Sequence, residues 1–486
     1  MYWSRRLQRA SFALSCTCLL LLVSACQSDQ GLHLSDITHP GSSLQITPTS
    51  IRVSSQMNTP IAKKASPTPN SSSGTAAPGS GPIPAAFPHY FSFGVMSPPG
   101  GTAALDDMRS RNGAAFAFRY QYLAGGVNTN HGWETWNQPA GQFVTYYMQD
   151  SAQHGYIPAF VYYEICQSNG PHPGSYCGGH DMAQDIANLA APATMKAYYA
   201  NWVLLLQKIH EFVKPVLVIV EPDLWGFLQI TSNGTDDAAS IAASVSSSGY
   251  AQVGNFPNTA QGFAWALLHL RDTYAPNAIL ALHASPWSAG ADVASDTRPS
   301  VDVAAIAQRE ANFLASAGLQ GNPTGVSSWD LLSNDVADHD SAQPGGRSWW
   351  DRYNHTFPNF ARYLNYIGAL SKDTHRRVIM WQVPMGNQYF DTMNNSPGHY
   401  QDNRAEYILG HVSSFATAGI IAVLFGPGNG GTMNIDAMHD GITNPAPVSD
   451  YECDRCNIHV SSYSDDDGGY LRIFIGQYMR HPLQIS

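Results

Sequence analysis

The chain has 486 residues, 44% hydrophobic and 13% charged, a globular composition with enough apolar mass for a large buried core. Its formal net charge is -11 and its pI about 5.8. Nucleic-acid binders depend on clustered Lys and Arg, and no basic stripe is present, so a phosphate-tracking surface is excluded.

The first residues, "MYWSRRLQRASFALSCTCLLLLVSAC", have a basic start (Arg5, Arg6, Arg9), a short apolar stretch and small residues before Cys26. That is the layout of a secretory signal, and the stretch is too short for a membrane span. Val23-Ser24-Ala25-Cys26 resembles the bacterial lipobox, which implies a lipidated Cys26, a signal peptide over 1–25 and a membrane-anchored, extracytoplasmic protein. An ordinary signal peptide is the alternative.

The next segment is rich in Ser, Thr, Pro and Gly, as in "KKASPTPNSSSGTAAPGSGPIPAA". Such a composition buries too little apolar area to offset its ordering entropy, so 26–86 is expected to be a flexible tether. A folded domain is expected over 87–486.

After Phe87 the chain repeats one unit: a short apolar run, a polar or Gly-rich stretch, then a segment with helical spacing. Candidate strands are "YFSFGVM" (90–96), "AAFAFRYQYL" (114–123), "YIPAFVYYE" (156–164), "VLVIVE" (216–221), "AILALHA" (278–284), "VSSWDLLSND" (326–335), "RVIMWQV" (377–383) and "IIAVLFG" (420–426). Between two of them, "NTAQGFAWALLHLRDTYAP" places Phe263, Leu267 and Leu270 on one helical face before Pro276 stops the helix. Near-continuous apolar strands are those of a parallel sheet covered on both faces. Eight beats predict an α/β fold, a single (β/α)8 TIM-type barrel. A doubly wound open sheet is the alternative, but "MSPPGG" after the first strand has prolines where a phosphate-binding glycine turn needs free amides.

A barrel of this kind carries its site at the C-terminal strand ends. There the sequence places Glu164 after strand three, Glu221 and Asp223 after strand four, and His283 with Trp287 after strand five. Asp335 and Asp338 follow at strand six, ahead of His339 and Asp340, and Trp381, Gln382 and Asn387 at strand seven. Several polar strand ends at one mouth suggest a polar ligand, and acids, amides and Trp together suit carbohydrate.

Cleavage of a glycosidic bond needs one carboxylic acid for the leaving oxygen and a second carboxylate on the opposite face of the sugar. Glu221 is the first choice for the proton donor, held extended by Pro222 with its carboxylate emerging at the mouth; the alternative is that it caps the next helix or pairs with an Arg. Asp335 or Asp338 is the choice for its opposite number. Trp225, Trp287, Trp349, Trp350 and Trp381 either stack on sugar rings or pack the barrel wall.

The whole plan from Phe87 onward resembles the (β/α)8-barrel glycoside hydrolases. "VIVEPDL" and "NDVADHD" are similar to pieces of the inverting cellulase and cellobiohydrolase family, which has an EPD-type strand end and an Asp-rich loop. The common retaining barrel enzymes end strand four in Asn-Glu and strand seven in a nucleophilic Glu. This chain has Val220-Glu221 and Trp381-Gln382 there, and Gln cannot be that nucleophile. The resemblance implies a surface-anchored glycoside hydrolase acting on a poly- or oligosaccharide. A non-catalytic glycan-binding lipoprotein on the same barrel is the alternative reading.

Outside the targeting segment the cysteines are Cys166, Cys177, Cys453 and Cys456. In an oxidising compartment disulfides are the default, and 166/177 with 453/456 is the simplest of three connectivities. A four-thiolate zinc site competes, although Cys166 and Cys177 lack knuckle spacing. Further along, Asp391, His399, Asp402 and Arg404 either line the cleft or, in "HYQDNRAEY", open a helix. The run Asp465 to Asp467 is read as a solvated turn or helix start rather than a calcium loop. No cofactor, no metal and no nucleic-acid partner are expected, and the protein is expected to be a monomer.

Overall fold

The computed structural model describes residues 79–169, 177, 181–323, 325–336, 350–385, 402–426 and 470–486. Eight strands close into one barrel in the order β1 to β8, every neighbouring pair parallel. They are β1 Ser92–Met96, β2 Phe118–Ala124, β3 Ile157–Tyr163, β4 Val216–Val220, β5 Ala278–His283, β6 Leu331–Asp335, β7 Val378–Pro384 and β8 Ile420–Gly426. Each lies within or overlaps one of the eight apolar runs of the sequence. The fold is the expected (β/α)8 barrel, and the open-sheet alternative is excluded by the β1–β8 pairing.

Alternation along the strands separates two cores. Side chains such as Tyr120, Val161, Ile219, Ala281, Leu331, Ile379 and Leu424 fill the barrel interior. Their neighbours, among them Phe160, Val218, Leu280, Met380 and Val423, pack outward against the helices. Strands buried on both faces explain why no polar residue interrupts Val216–Val220. Where β1, β2 and β8 meet, the interior is crowded: a Cβ on Gly94 would lie 2.4 Å from Leu424 and 2.7 Å from Phe118.

The helix ahead of β5 shows how local sequence sets the layers. Ala260–Tyr274 starts where the Thr259 side chain accepts from Gly262 N at 3.1 Å, and it ends two residues before Pro276. Phe263, Leu267 and Leu270 are all fully buried on its inner face. Burying each contributes about 1.5–3 kcal/mol. Asp302 and Asn359 cap the helices Val303–Ser316 and Phe360–Thr374 in the same way.

The N-terminal end of the barrel is closed by chain from both sides of it in sequence. Phe87 meets Phe118 edge-on with ring centroids 4.9 Å apart, and Ile83 and Ile485 pack beside it. Gly79 N donates to Thr417 O at 2.7 Å, so packed chain begins ahead of Phe87, within the segment expected to be tether. Among the described residues no helix is long and apolar enough to cross a membrane.

Candidate active site

The C-terminal mouth gathers the inward-facing residues that end the strands. Tyr122, Tyr163, His283, Asp335 and Trp381 each lie at the parity that the interior of their strand requires. Asp335 pairs in register with Trp381, and His283 with Ser333, which brings the ends of β5, β6 and β7 together.

In this corner the Trp381 indole N–H reaches His283 Nδ1 at 3.3 Å, and Ser333 Oγ lies 3.1 Å from the same nitrogen. His283 Nε2 lies 3.6 Å from Asp335 Oδ1. The Asp335 side chain keeps 23% of its surface exposed, so among the described residues it is the acid of this corner that solvent reaches.

Strand β7 departs from regular pairing between Met380 and Val383, and Gln382 has φ 53°, a left-handed conformation uncommon for a residue with a side chain. The irregularity puts two consecutive residues at the mouth. Trp381 packs against Tyr122 with ring centroids 5.9 Å apart, and the Tyr122 hydroxyl donates to the Gln382 side-chain oxygen. Strand seven thus ends in an amide.

The β3–β4 side differs from expectation. Glu221 is not extended: it has φ 45° and ψ 64° and forms the N-cap position of helix Pro222–Thr231. This turns its side chain away from the barrel axis. Its Oε1 accepts from the backbone amides of Glu164 at 3.0 Å and Ile165 at 3.3 Å, and the residue is 1% exposed. Burial pushes its carboxyl up to about 8, against the lowering effect of those amides. The carboxylate expected to emerge at the mouth is therefore folded back against β3.

Glu164, expected to touch ligand, is fully buried, and among the described residues neither of its carboxylate oxygens meets a partner at full hydrogen-bond geometry, the Gly126 amide being the one that acts on it. Burial holds its carboxyl well above the usual range, helped by Glu134 and Glu221 nearby. Asp185 is in the same condition, raised first by burial and then by Glu221 and Asp223. In both, loss of water outweighs crowding as the cause.

Asp223 is the acid that this side offers to solvent. It lies in the first turn of helix Pro222–Thr231, is half-buried, and accepts from the Tyr163 hydroxyl at 3.0 Å. Tyr122 and Tyr163 did not stand out in the sequence. The available signal was strand parity, which puts Tyr122 and Tyr163 on the inward face beyond Tyr120 and Val161.

The Trp residues divide. Trp381 lies at the mouth, and half-buried Trp287 packs on Phe227 and so closely on helix Pro222–Thr231 that a Cβ on Gly226 would lie 2.4 Å from its ring. Trp225 donates to Val220 O and stacks on Phe263, and Trp350 donates to Ala294 O, so both belong to the wall. Asp402 and Arg404 are fully buried and paired with each other, with Asp402 Oδ1 accepting from Arg404 N at 2.7 Å. They open helix Arg404–Gly410 rather than line the cleft.

Cys166 and Cys177 form a disulfide, as expected from their number and compartment, with Cα atoms 5.6 Å apart. The bridge packs against Tyr163 and Tyr122. Among the described residues the only set of three metal-capable groups within 4.8 Å is Cys166, Cys177 and Asp181, and its two sulfurs are bonded to each other. Cys26, Asp338, His339, Asp340, Trp349, Asn387, Asp391, His399, Cys453, Cys456 and the run Asp465 to Asp467 lie outside the described residues.

Fold and mouth together define a TIM-type barrel with acids, amides and aromatics at its C-terminal face. No protein-family model and no curated protein matches the chain. Among solved structures it is similar to a β-mannanase from a symbiotic protist of the termite Reticulitermes speratus, at 12% identity and a TM-score of 0.37, over 74% of this chain and 87% of that one. It is also similar to a Bacteroidetes-affiliated GH5 cellulase, at 10% identity and a TM-score of 0.45, over 81% and 92%. A family 1 β-glucosidase from Thermotoga maritima gives 10% identity and a TM-score of 0.40, over 70% and 88%. At these values the barrel rests on its own strand order.

Proposed function

We propose that the protein is a glycoside hydrolase acting on a poly- or oligosaccharide at the C-terminal mouth. The observation that carries this reading is the pair of solvent-reaching carboxylates at one mouth, Asp223 beside Tyr163 and Asp335 beside His283, with Trp381 and Tyr122 as aromatic surface between strand ends.

In this reading Asp223, rather than Glu221, donates the proton. The proton passes to the glycosidic oxygen as the bond from C1 to that oxygen breaks, Asp335 takes a proton from water, and the resulting oxygen attacks C1. Asp338 is the alternative base. Gln382 at the end of β7 supports inversion, because an amide forms no glycosyl ester. His283, Trp287, Trp381 and Gln382 contribute to holding the sugar. The test is hydrolysis across a panel of polysaccharides, with the anomer of the first product followed by NMR; binding without turnover on every glycan would favour a carbohydrate-binding protein instead.

The lipobox and the Ser/Thr/Pro-rich segment support attachment to an extracytoplasmic membrane surface through lipidated Cys26. Cell fractionation of Cys26→Ser tests this, with release from the membrane fraction expected and retention against it.

A further inference from the structure

Glu221 joins two strand ends. Its N–H donates to Tyr162 O at 2.7 Å, and its carboxylate accepts from the amides of Glu164 and Ile165. It therefore holds main chain on both sides of Tyr163, whose hydroxyl donates to Asp223. Asp223 in turn stands in the first turn of the helix that begins after Glu221.

The arrangement carries one cost and meets one need. A left-handed backbone is unfavourable for a residue with a side chain, and Glu221 adopts it without being glycine. Glu164 and Ile165 are both fully buried, so without the Glu221 oxygens their amides lose the acceptor these bonds supply.

We propose that Glu221 is a positioning residue for Asp223: by binding the amides of Glu164 and Ile165 it fixes the Tyr163 hydroxyl, and through that hydroxyl the orientation of the Asp223 carboxyl. The catalytic consequence rests on Asp223 being the proton donor; the brace itself does not. A brace needs an oxygen acceptor at the right reach, whereas a proton donor needs an ionisable carboxyl.

The substitutions Glu221→Gln and Glu221→Asp separate these needs. Gln keeps an oxygen at the same reach, and Asp keeps the carboxyl but withdraws it by one methylene. With folding checked by thermal melts, E221Q is expected to keep kcat within about threefold of the parent, and E221D to lose roughly tenfold or more with KM little changed.

The second readout is the titration of Asp223, followed by 13C NMR of carboxyl-labelled aspartate and assigned with D223N. Its midpoint should be unmoved in E221Q and displaced in E221D. The reverse order of activities, or an Asp223 midpoint that E221D leaves in place, overturns the proposal. So does an E221Q enzyme as impaired as D223N, whether or not E221D folds. If no glycan is hydrolysed by the parent, the glycosidase reading fails while the Asp223 titration still decides the brace.

Discussion

The indole Nε1 of Trp381 lies 3.3 Å from Nδ1 of His283. An indole N–H only donates, so Nδ1 is the acceptor and the neutral ring carries its proton on Nε2, which faces Asp335 at 3.6 Å. Trp381 thereby fixes the direction in which His283 presents a donor to the proposed base. The 15N spectrum of His283 should show the Nε2–H tautomer in the parent, and a mixture with the Nδ1–H form in Trp381→Phe. A parent spectrum dominated by the Nδ1–H form would contradict this geometry.

Buried acids give the fold a pH dependence of defined sign. Burial pushes the carboxyls of Glu221 and Glu310 up to about 8, and raises Glu164 and Asp185 well above the usual range. In the unfolded chain such groups titrate near about 4. For Glu221 and Glu310 the contribution to stability is full below that value and is lost as pH rises through their folded pKa near 8, and Glu164 and Asp185 contribute with the same sign. The melting temperature should therefore fall from pH 5 to pH 8. Glu310→Gln, which keeps an oxygen for the Tyr366 hydroxyl, should flatten the slope. Circular-dichroism melts at several pH values check both, and a parent whose melting temperature climbs over this interval would contradict the assignment.

The Cys166–Cys177 bridge spans a sequence separation of 11 and backs onto Tyr163 and Tyr122. Closing a loop of that size stabilises by about 2–4 kcal/mol through the unfolded state. Denaturant unfolding of Cys177→Ser should show a loss of this order, and non-reducing peptide mapping should recover the 166/177 pair. A free thiol at Cys166 in the parent would count against it.

Residue by residue, the barrel was readable where the chemistry is local. Val216–Val220 could only be a wall strand, and Phe263, Leu267 and Leu270 could only face inward. The site was less readable because its geometry depends on distant partners. Glu221 turns back to amides 57 and 56 residues earlier, and Tyr122 meets Gln382 across 260 residues. No glycine marked the left-handed backbone at Glu221 or Gln382, so alternation alone sent the wrong side chain to the mouth on β4 and missed the irregularity in β7. Glu164 looked like a strand-end acid, yet it is completely buried.

The central claim is that Asp223 gives up the proton that breaks the glycosidic bond. Steady-state hydrolysis by Asp223→Asn, on whichever glycan the parent cleaves, tests it most directly. Loss of a general acid lowers kcat by a factor of about 100 or more. The expected result is a folded D223N protein with kcat reduced at least that far. A D223N enzyme with the parent's kcat would contradict it.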